Sequence, residues 1–289
     1  MFVIFLAVLV LILWGTGDVF GTGLTRKMGG IKTAFWFYLA LVPFYTVVCI
    51  FFAPSISVLT PGLVLFNLLL GVVGLSSMLT FYQGLRVGNA SIVSTIAASF
   101  IWITVIFSLI FFHEKINTYQ VLAIIVILSG IVISSLNLQE IKKGKSKLGK
   151  DVIYGLATMV LWGIFWTFIK IPIQQMGWAY PNLITVLPAV PLAVVFTLLK
   201  KVKLEFSDLK KYHKLIIADT LFLGTGSFVY SVAIQSGAQL SIITPIANSY
   251  PILLAILLYK VYKDPITKQQ IIGIGTTIAG IILLSALSA

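Results

Sequence analysis

The sequence predicts an all-α integral membrane protein of about ten transmembrane helices, built as two inverted five-helix repeats around a central cavity. Three observations carry that expectation: an extreme apolar composition, a regular alternation of apolar runs with short polar breaks, and internal similarity at an offset near 150 residues.

Of 289 residues, 59% are hydrophobic and only 10% are charged, with a mean hydropathy of +1.08. That leaves too little polar surface to cover a water-soluble globule. Crossing a hydrocarbon core of roughly 30 Å takes about 20 helical residues, so the chain has room for at most about a dozen spans and none for a soluble domain. A single cysteine, Cys49, excludes an intramolecular disulfide and a cysteine-based metal cluster. The net charge of +12 does not signal nucleic acid, because the Lys and Arg residues fall in breaks between apolar runs, where orientation in a bilayer explains them. The bilayer, not a nucleic acid, is the expected macroscopic partner.

Taken in order, the apolar stretches place spans near 2–22, 33–53, 62–84, 90–112, 119–137, 152–171, 181–199, 214–236, 242–262 and 269–287. The first run, from Phe2 through Trp14 to Phe20, has neither a positive leader nor a convincing cleavage site and is expected to be a span. The longest polar break, the Lys-rich 139–151, separates a first five-helix repeat at 1–138 from a second at 152–289.

The two halves share features in the same order. Ser91-Ile92 recurs as Ser241-Ile242, Ile96-Ala97 as Ile246-Ala247, Ser99 as Ser249, Gln120 as Gln270, and Gly130-Ile131 as Gly280-Ile281; Glu114 falls opposite Asp264. At a slightly shorter offset Leu13-Trp14-Gly15 matches Leu161-Trp162-Gly163, and Pro43 matches Pro191. Five is odd, so the second copy enters the membrane in the opposite direction. Inverted pairs of this kind can open a central site to one side and then the other. With both termini outside, the breaks facing the cytoplasm carry 18 of the 20 Lys and Arg residues.

The order and duplication of these motifs resemble the drug/metabolite transporter superfamily, specifically proteins made of two tandem EamA-type repeats. The residues that carry the resemblance are Leu13-Trp14-Gly15, Leu161-Trp162-Gly163, and the stretch from Gly88-Asn89-Ala90-Ser91 through Phe112-His113-Glu114-Lys115 to Gly130. The resemblance implies a ten-helix inverted-repeat transporter whose cavity is lined by spans one, three, four, six, eight and nine. Two features depart from the family. Its span-nine proline is present as Pro251, but the matching place in span four holds Ile101, and family members are commonly described with cytoplasmic termini.

Candidate binding residues are polar or aromatic groups at membrane depth, where a charge costs about 2.5 to 3.5 kcal/mol and needs a purpose. Asp18 shares a helical face with Trp14; Trp162, Trp166 and Lys170 form the corresponding stripe in span six; Asp219 lies in span eight. Two aromatic stripes, one tipped acidic and one basic, would clasp a small zwitterion. Ser91, Thr95 and Ser99 in span four and Ser241, Thr244 and Asn248 in span nine trace matching polar faces, and Gln83 and Tyr230 add longer handles. Pro43, Pro191, Pro245 and Pro251 are expected to bend or interrupt their helices, while Gly130, Gly273, Thr277 and Gly280 suit close helix packing.

No metal-ligand spacing or phosphate loop occurs, and His113 and His213 lie outside the apolar cores, so no enzyme, cofactor or metal is expected. The leading expectation is a secondary transporter for an amino acid or related amphipathic solute, with a coupling proton as a further candidate partner and the oligomeric state left open, a monomer among the alternatives. A drug or organic-cation exporter is the alternative, and it requires a deep acid without a basic partner. A non-transporting receptor or scaffold is the reading from another class.

Overall fold

The computed structural model describes residues 1–87, 93, 96–135, 150–263 and 267–288. Ser91, Thr95, Asp264 and all but the last two residues of the expected linker lie outside the described residues. The first half contains α1 (Phe2–Met28), α2 (Gly30–Phe52), α3 (Pro61–Val87), α4 (Phe100–Phe111) and α5 (Thr118–Ser135). The second contains α6 (Lys150–Phe168), α7 (Lys170–Met176), α8 (Ala179–Val186), α9 (Ala189–Leu199), α10 (Phe206–Gln235), α11 (Leu240–Ala247), α12 (Tyr250–Tyr262) and α13 (Lys268–Leu287). Eight helical stretches among the described residues are long and apolar enough to cross a membrane, and two shorter ones, Ile96–Phe111 and Thr118–Ile133, fall at the expected spans four and five. Large apolar side chains such as Ile50, Phe51, Leu198, Leu199 and Ile282 are exposed on the outside, as lipid contact requires.

Prolines explain three interruptions. A proline ring lacks an N–H and clashes with the carbonyl four residues earlier. Accordingly α6 ends at Phe168, four before Pro172; α8 stops beside Leu187, four before Pro191; and α11 ends at Ala247, four before Pro251. Span four turns at the corresponding place without a proline. Ser99 N–H donates to Ile96 O (3.1 Å) and Trp102 N–H to Ser99 O (3.1 Å), matching Ser249 to Ile246 (3.2 Å) and Ile252 to Ser249 (3.1 Å).

The helix pairings exchange when corresponding spans are swapped. α1 packs along α10 and α3 along α6; α4 packs on α6 as α11 and α12 pack on α1; α5 packs along α13. The α5–α13 crossing repeats itself in detail. A Cβ at Gly280 would lie 2.8 Å from Ile127 N, and one at Gly130 would meet Thr277 N at 2.5 Å, residues again 150 apart. Both helices open with the same reciprocal cap, Asn117 with Gln120 and Thr267 with Gln270.

Hydrogen bonds gather the connections at two ends. At one, Trp178 N–H donates to Gln235 Oε1 (3.0 Å), Tyr180 Oη to Pro54 O (3.1 Å), and Gln120 Nε2 to Leu287 O (3.3 Å). At the other, Lys32 pairs with Asp208 (2.8 Å) and Gln269 Nε2 donates to Ile133 O (2.8 Å).

Candidate functional site: an aromatic cavity with one acid

A cavity of about 210 Å³ lies between the two halves. Six of the nine residues expected to bind solute line it: Trp14, Asp18, Trp162, Trp166, Tyr230 and Asn248. The breaks described above bring several of them there. Asn248 occupies the joint between α11 and α12, where its side-chain amide donates to the Thr244 carbonyl (3.0 Å). Tyr230 and Thr244 join through their hydroxyls at 2.8 Å.

Trp14 is the hub. Its ring centroid lies 5.1 Å from that of Trp166, 5.5 Å from Tyr230 and 6.1 Å from Tyr250, and Trp166 meets Tyr230 at 5.3 Å. Gly226 lets α10 approach this closely, since a Cβ there would sit 2.5 Å from Trp14 Cδ1. The repeat-related Trp162 has a simpler setting, with Phe81 at 5.1 Å and Phe100 at 5.7 Å. Tyr250 beside Trp14 and Phe100 beside Trp162 are 150 residues apart, and the Trp14 cluster also carries two phenolic hydroxyls and a carboxylate. Tyr250 hydrogen-bonds the Asp18 side chain. No Lys, Arg or His lines the cavity among the described residues.

Three expected residues stand elsewhere. Gln83 lines a separate cavity of about 410 Å³ at the far ends of α1 and α2, with Thr25 and Lys32. Ser99 forms the turn before α4 and does not reach the central cavity. Lys170 also stays out of it, so the expected zwitterion clasp of Asp18 with Lys170 does not form. Its ammonium lies 2.6 Å from Glu114 Oε1 and 4.6 Å from the centroid of the Phe112 ring.

The same Glu114 carboxylate accepts from Leu240 N–H (2.8 Å), Ser241 N–H (2.9 Å) and Ser241 Oγ (2.7 Å). Leu240 and Ser241 open α11, whose Gln239 gives no side-chain cap, so Glu114 caps that helix from the loop after α4. Burial alone would raise this carboxyl, but the Lys170 bond and the three donors of Leu240 and Ser241 outweigh it and hold the group below its ordinary value of 4.5.

The sequence reading missed part of the lining. Phe37, Tyr38, Leu41 and Tyr45 of α2, and Asn182 and Thr185 of α8, bring in spans two and seven, which the resemblance leaves out. Tyr45 is fixed by a hydrogen bond to Gly224 O (3.2 Å), and Asn182 by one to Ser231 Oγ (3.0 Å). The signal was present: Tyr38, Leu41 and Tyr45 recur at helical spacing, and Asn182 is an amide at depth like Asn248.

The chain matches the EamA-like transporter family over residues 1–136 and again over 149–286. A solved protein structure aligns with 99% of this chain and 96% of its own at a TM-score of 0.79 and 13% identity, a likeness of fold. No curated protein matches the chain. The two tandem matches cover nearly the whole sequence, and this integral, multi-pass membrane protein belongs to the EamA-like transporter family of the drug/metabolite transporter superfamily.

Proposed function

We propose that the protein is a secondary transporter that carries a small, cationic amphipathic solute through the central cavity by alternating access. One observation carries the choice of solute. Asp18 is the only charged residue lining the cavity among the described residues, and it stands beside Trp14, Trp166, Tyr230 and Tyr250. Aromatic faces and a carboxylate both attract a cation, by about 0.5 to 2 kcal/mol per aromatic contact when desolvated. An amino acid would leave its carboxylate without a basic partner, because Lys170 is held by Glu114. The organic-cation reading therefore displaces the zwitterion reading.

Alternating access rests on two inverted five-helix repeats, 1–138 and 152–289, joined by the 139–151 linker. The exchange of helix pairings, the reciprocal α5–α13 crossing and the grouping of connections at two ends support that arrangement. Interrupted helices beside the cavity at Ile169 and Asn248 are suited to move. The Lys and Arg asymmetry supports termini outside the plasma membrane. A coupling proton is the proposed driving partner.

Thermal stabilisation tests the solute class, since a ligand that binds the folded state raises the melting temperature. Benzyltrimethylammonium, an aromatic cation, is expected to stabilise the purified protein and phenylalanine, a zwitterion of similar ring size, to do so far less. Stabilisation by phenylalanine alone would restore the amino-acid reading.

A further inference from the structure

Asp219 is a second acid inside the membrane, and the cavity does not use it. Its residue is 1% exposed, and among the described residues its Oδ1 has no hydrogen bond of good geometry, only the Gly21 backbone beside it. That atom points at α1: a Cβ added to Gly21, one turn beyond Asp18, would lie 3.1 Å from it. One turn further along α10, Leu223 fits over Gly17 in the same way, so Gly17 and Gly21, which flank Asp18 in sequence, let α10 press close to α1. Asp18 and Gly21, three residues apart, are neighbours on the surface of α1, so Asp219, set against Gly21, stands beside the turn that carries Asp18. Beside them, Thr220 Oγ1 is buried and unpartnered as well.

A buried carboxylate demands a counter-charge or neutralisation. Among the described residues no Lys, Arg or His forms an ion pair with either carboxyl. From α1 comes Asp18 itself; from α12 come Tyr250, bonded to Asp18, and Tyr262, whose hydroxyl reaches Val19 O at 3.4 Å. From α2 come Tyr38 and Tyr45, the latter bonded to Gly224 O. The basic groups of the helices packed here are engaged elsewhere or exposed: Arg26 lies over the Tyr262 ring, Lys32 pairs with Asp208, Lys210 and Lys211 lie over Phe206 and Tyr212, Lys214 is exposed, and Lys170 of α7 is held by Glu114.

We propose that Asp18 and Asp219 together hold one exchangeable proton, making the α1–α10 interface a proton site that abuts the solute cavity. A cation arriving at Asp18 supplies the counter-charge that the proton had provided, and the proton leaves. Asp219 is a positioning partner that keeps the proton within reach while the cavity is empty. This inference rests on the cation reading of the cavity for its coupling step, but not for the existence of the proton pair.

The test combines two readouts on the full-length protein in lipid. Infrared spectra at neutral pH are expected to show the carbonyl stretch of a protonated carboxylic acid in the wild type, and Asp219→Asn to diminish it. In Asp18→Asn the remaining signal is expected to titrate at lower pH, because the neighbouring negative charge is gone. In weak buffer, benzyltrimethylammonium is expected to release about one proton per cation bound to the wild type. Asp219→Asn should release at most half as much while still binding the cation. An unchanged infrared signal in Asp219→Asn, or its removal by sodium at constant pH, overturns the proposal; the Asp18→Asn titration decides the matter if Asp219→Asn does not fold. If the wild type fails to bind benzyltrimethylammonium, the cation reading fails, and the infrared spectra still decide the proton pair.

Discussion

Lys170 and Glu114, 56 residues apart in sequence, meet at 2.6 Å, and their side chains are only 9% and 4% exposed. Through Glu114 this contact joins the end of span four, the start of α7 and the first turn of α11. It removes Lys170 from the cavity and so leaves Asp18 without a basic partner there, which is why the charge of the site is settled by a contact outside it.

Removing one partner of a buried pair strands the other. Glu114→Gln is expected to destabilise the protein by roughly 3 kcal/mol, and Lys170→Met added to it to recover part of that loss. Thermal unfolding of the single and double variants checks this; additive losses would mean that the two residues act independently.

The pH dependence of that contact has a definite sign. The folded-state proton affinity of Glu114 is lowered, so its contribution to stability is fully present above the ordinary value of 4.5 and is lost as pH falls through the folded value. The difference in melting temperature between wild type and Glu114→Gln should stay constant from neutral pH down to about 5 and shrink only below that. Melting curves across this range show it, and a gap that already closes near neutrality would contradict it.

The α5–α13 crossing makes a steric prediction. At Gly280 a methyl group meets Ile127 N and Cγ1 at 2.8 Å, and backbone cannot yield as a side-chain tip can. Gly280→Ala and Gly130→Ala are expected to cost about 1 to 3 kcal/mol each. Gly275, with nothing within 4 Å of its Cβ position, is the control, and Gly275→Ala should leave unfolding unchanged or raise the melting temperature.

Tyr250→Phe keeps the ring beside Trp14 and removes the hydroxyl bonded to Asp18. A hydrogen bond to a charged group is worth about 1.5 to 3 kcal/mol, but a bound cation satisfies the same carboxylate. Benzyltrimethylammonium affinity is therefore expected to change by less than about tenfold, in contrast to Trp166→Ala, which removes an aromatic wall and should weaken binding more. Titration calorimetry ranks the two variants, and the opposite order would remove the aromatic cage from the account.

Residues whose signal is local were legible in the sequence. The Trp14–Asp18 face, the Trp162–Trp166 face and the proline at 251 all follow from spacing within one helix, and they stand where that spacing puts them. Lys170 was misplaced because its partner lies in another span, and helical spacing cannot say which of two acids a lysine will reach. Ser99 was assigned to a polar face by steps of four, but the turn at Ser99 breaks the helix that such steps assume. Gln83 fell at the end of α3, beyond the depth of the cavity, because span limits read from hydropathy do not fix where a binding site lies along the helix. Tyr38, Tyr45 and Asn182 were passed over because the cavity was expected to be lined by spans one, three, four, six, eight and nine, as the family resemblance implies.

The central claim is that Asp18 selects a cationic solute. Proteoliposomes containing the wild type or Asp18→Asn, loaded in turn with benzyltrimethylammonium and phenylalanine under an imposed pH gradient, test it most directly. The wild type is expected to move the cation faster than the zwitterion, and Asp18→Asn to lose cation movement with the protein still folded. Wild-type rates from Asp18→Asn, or preferential movement of phenylalanine, would contradict it.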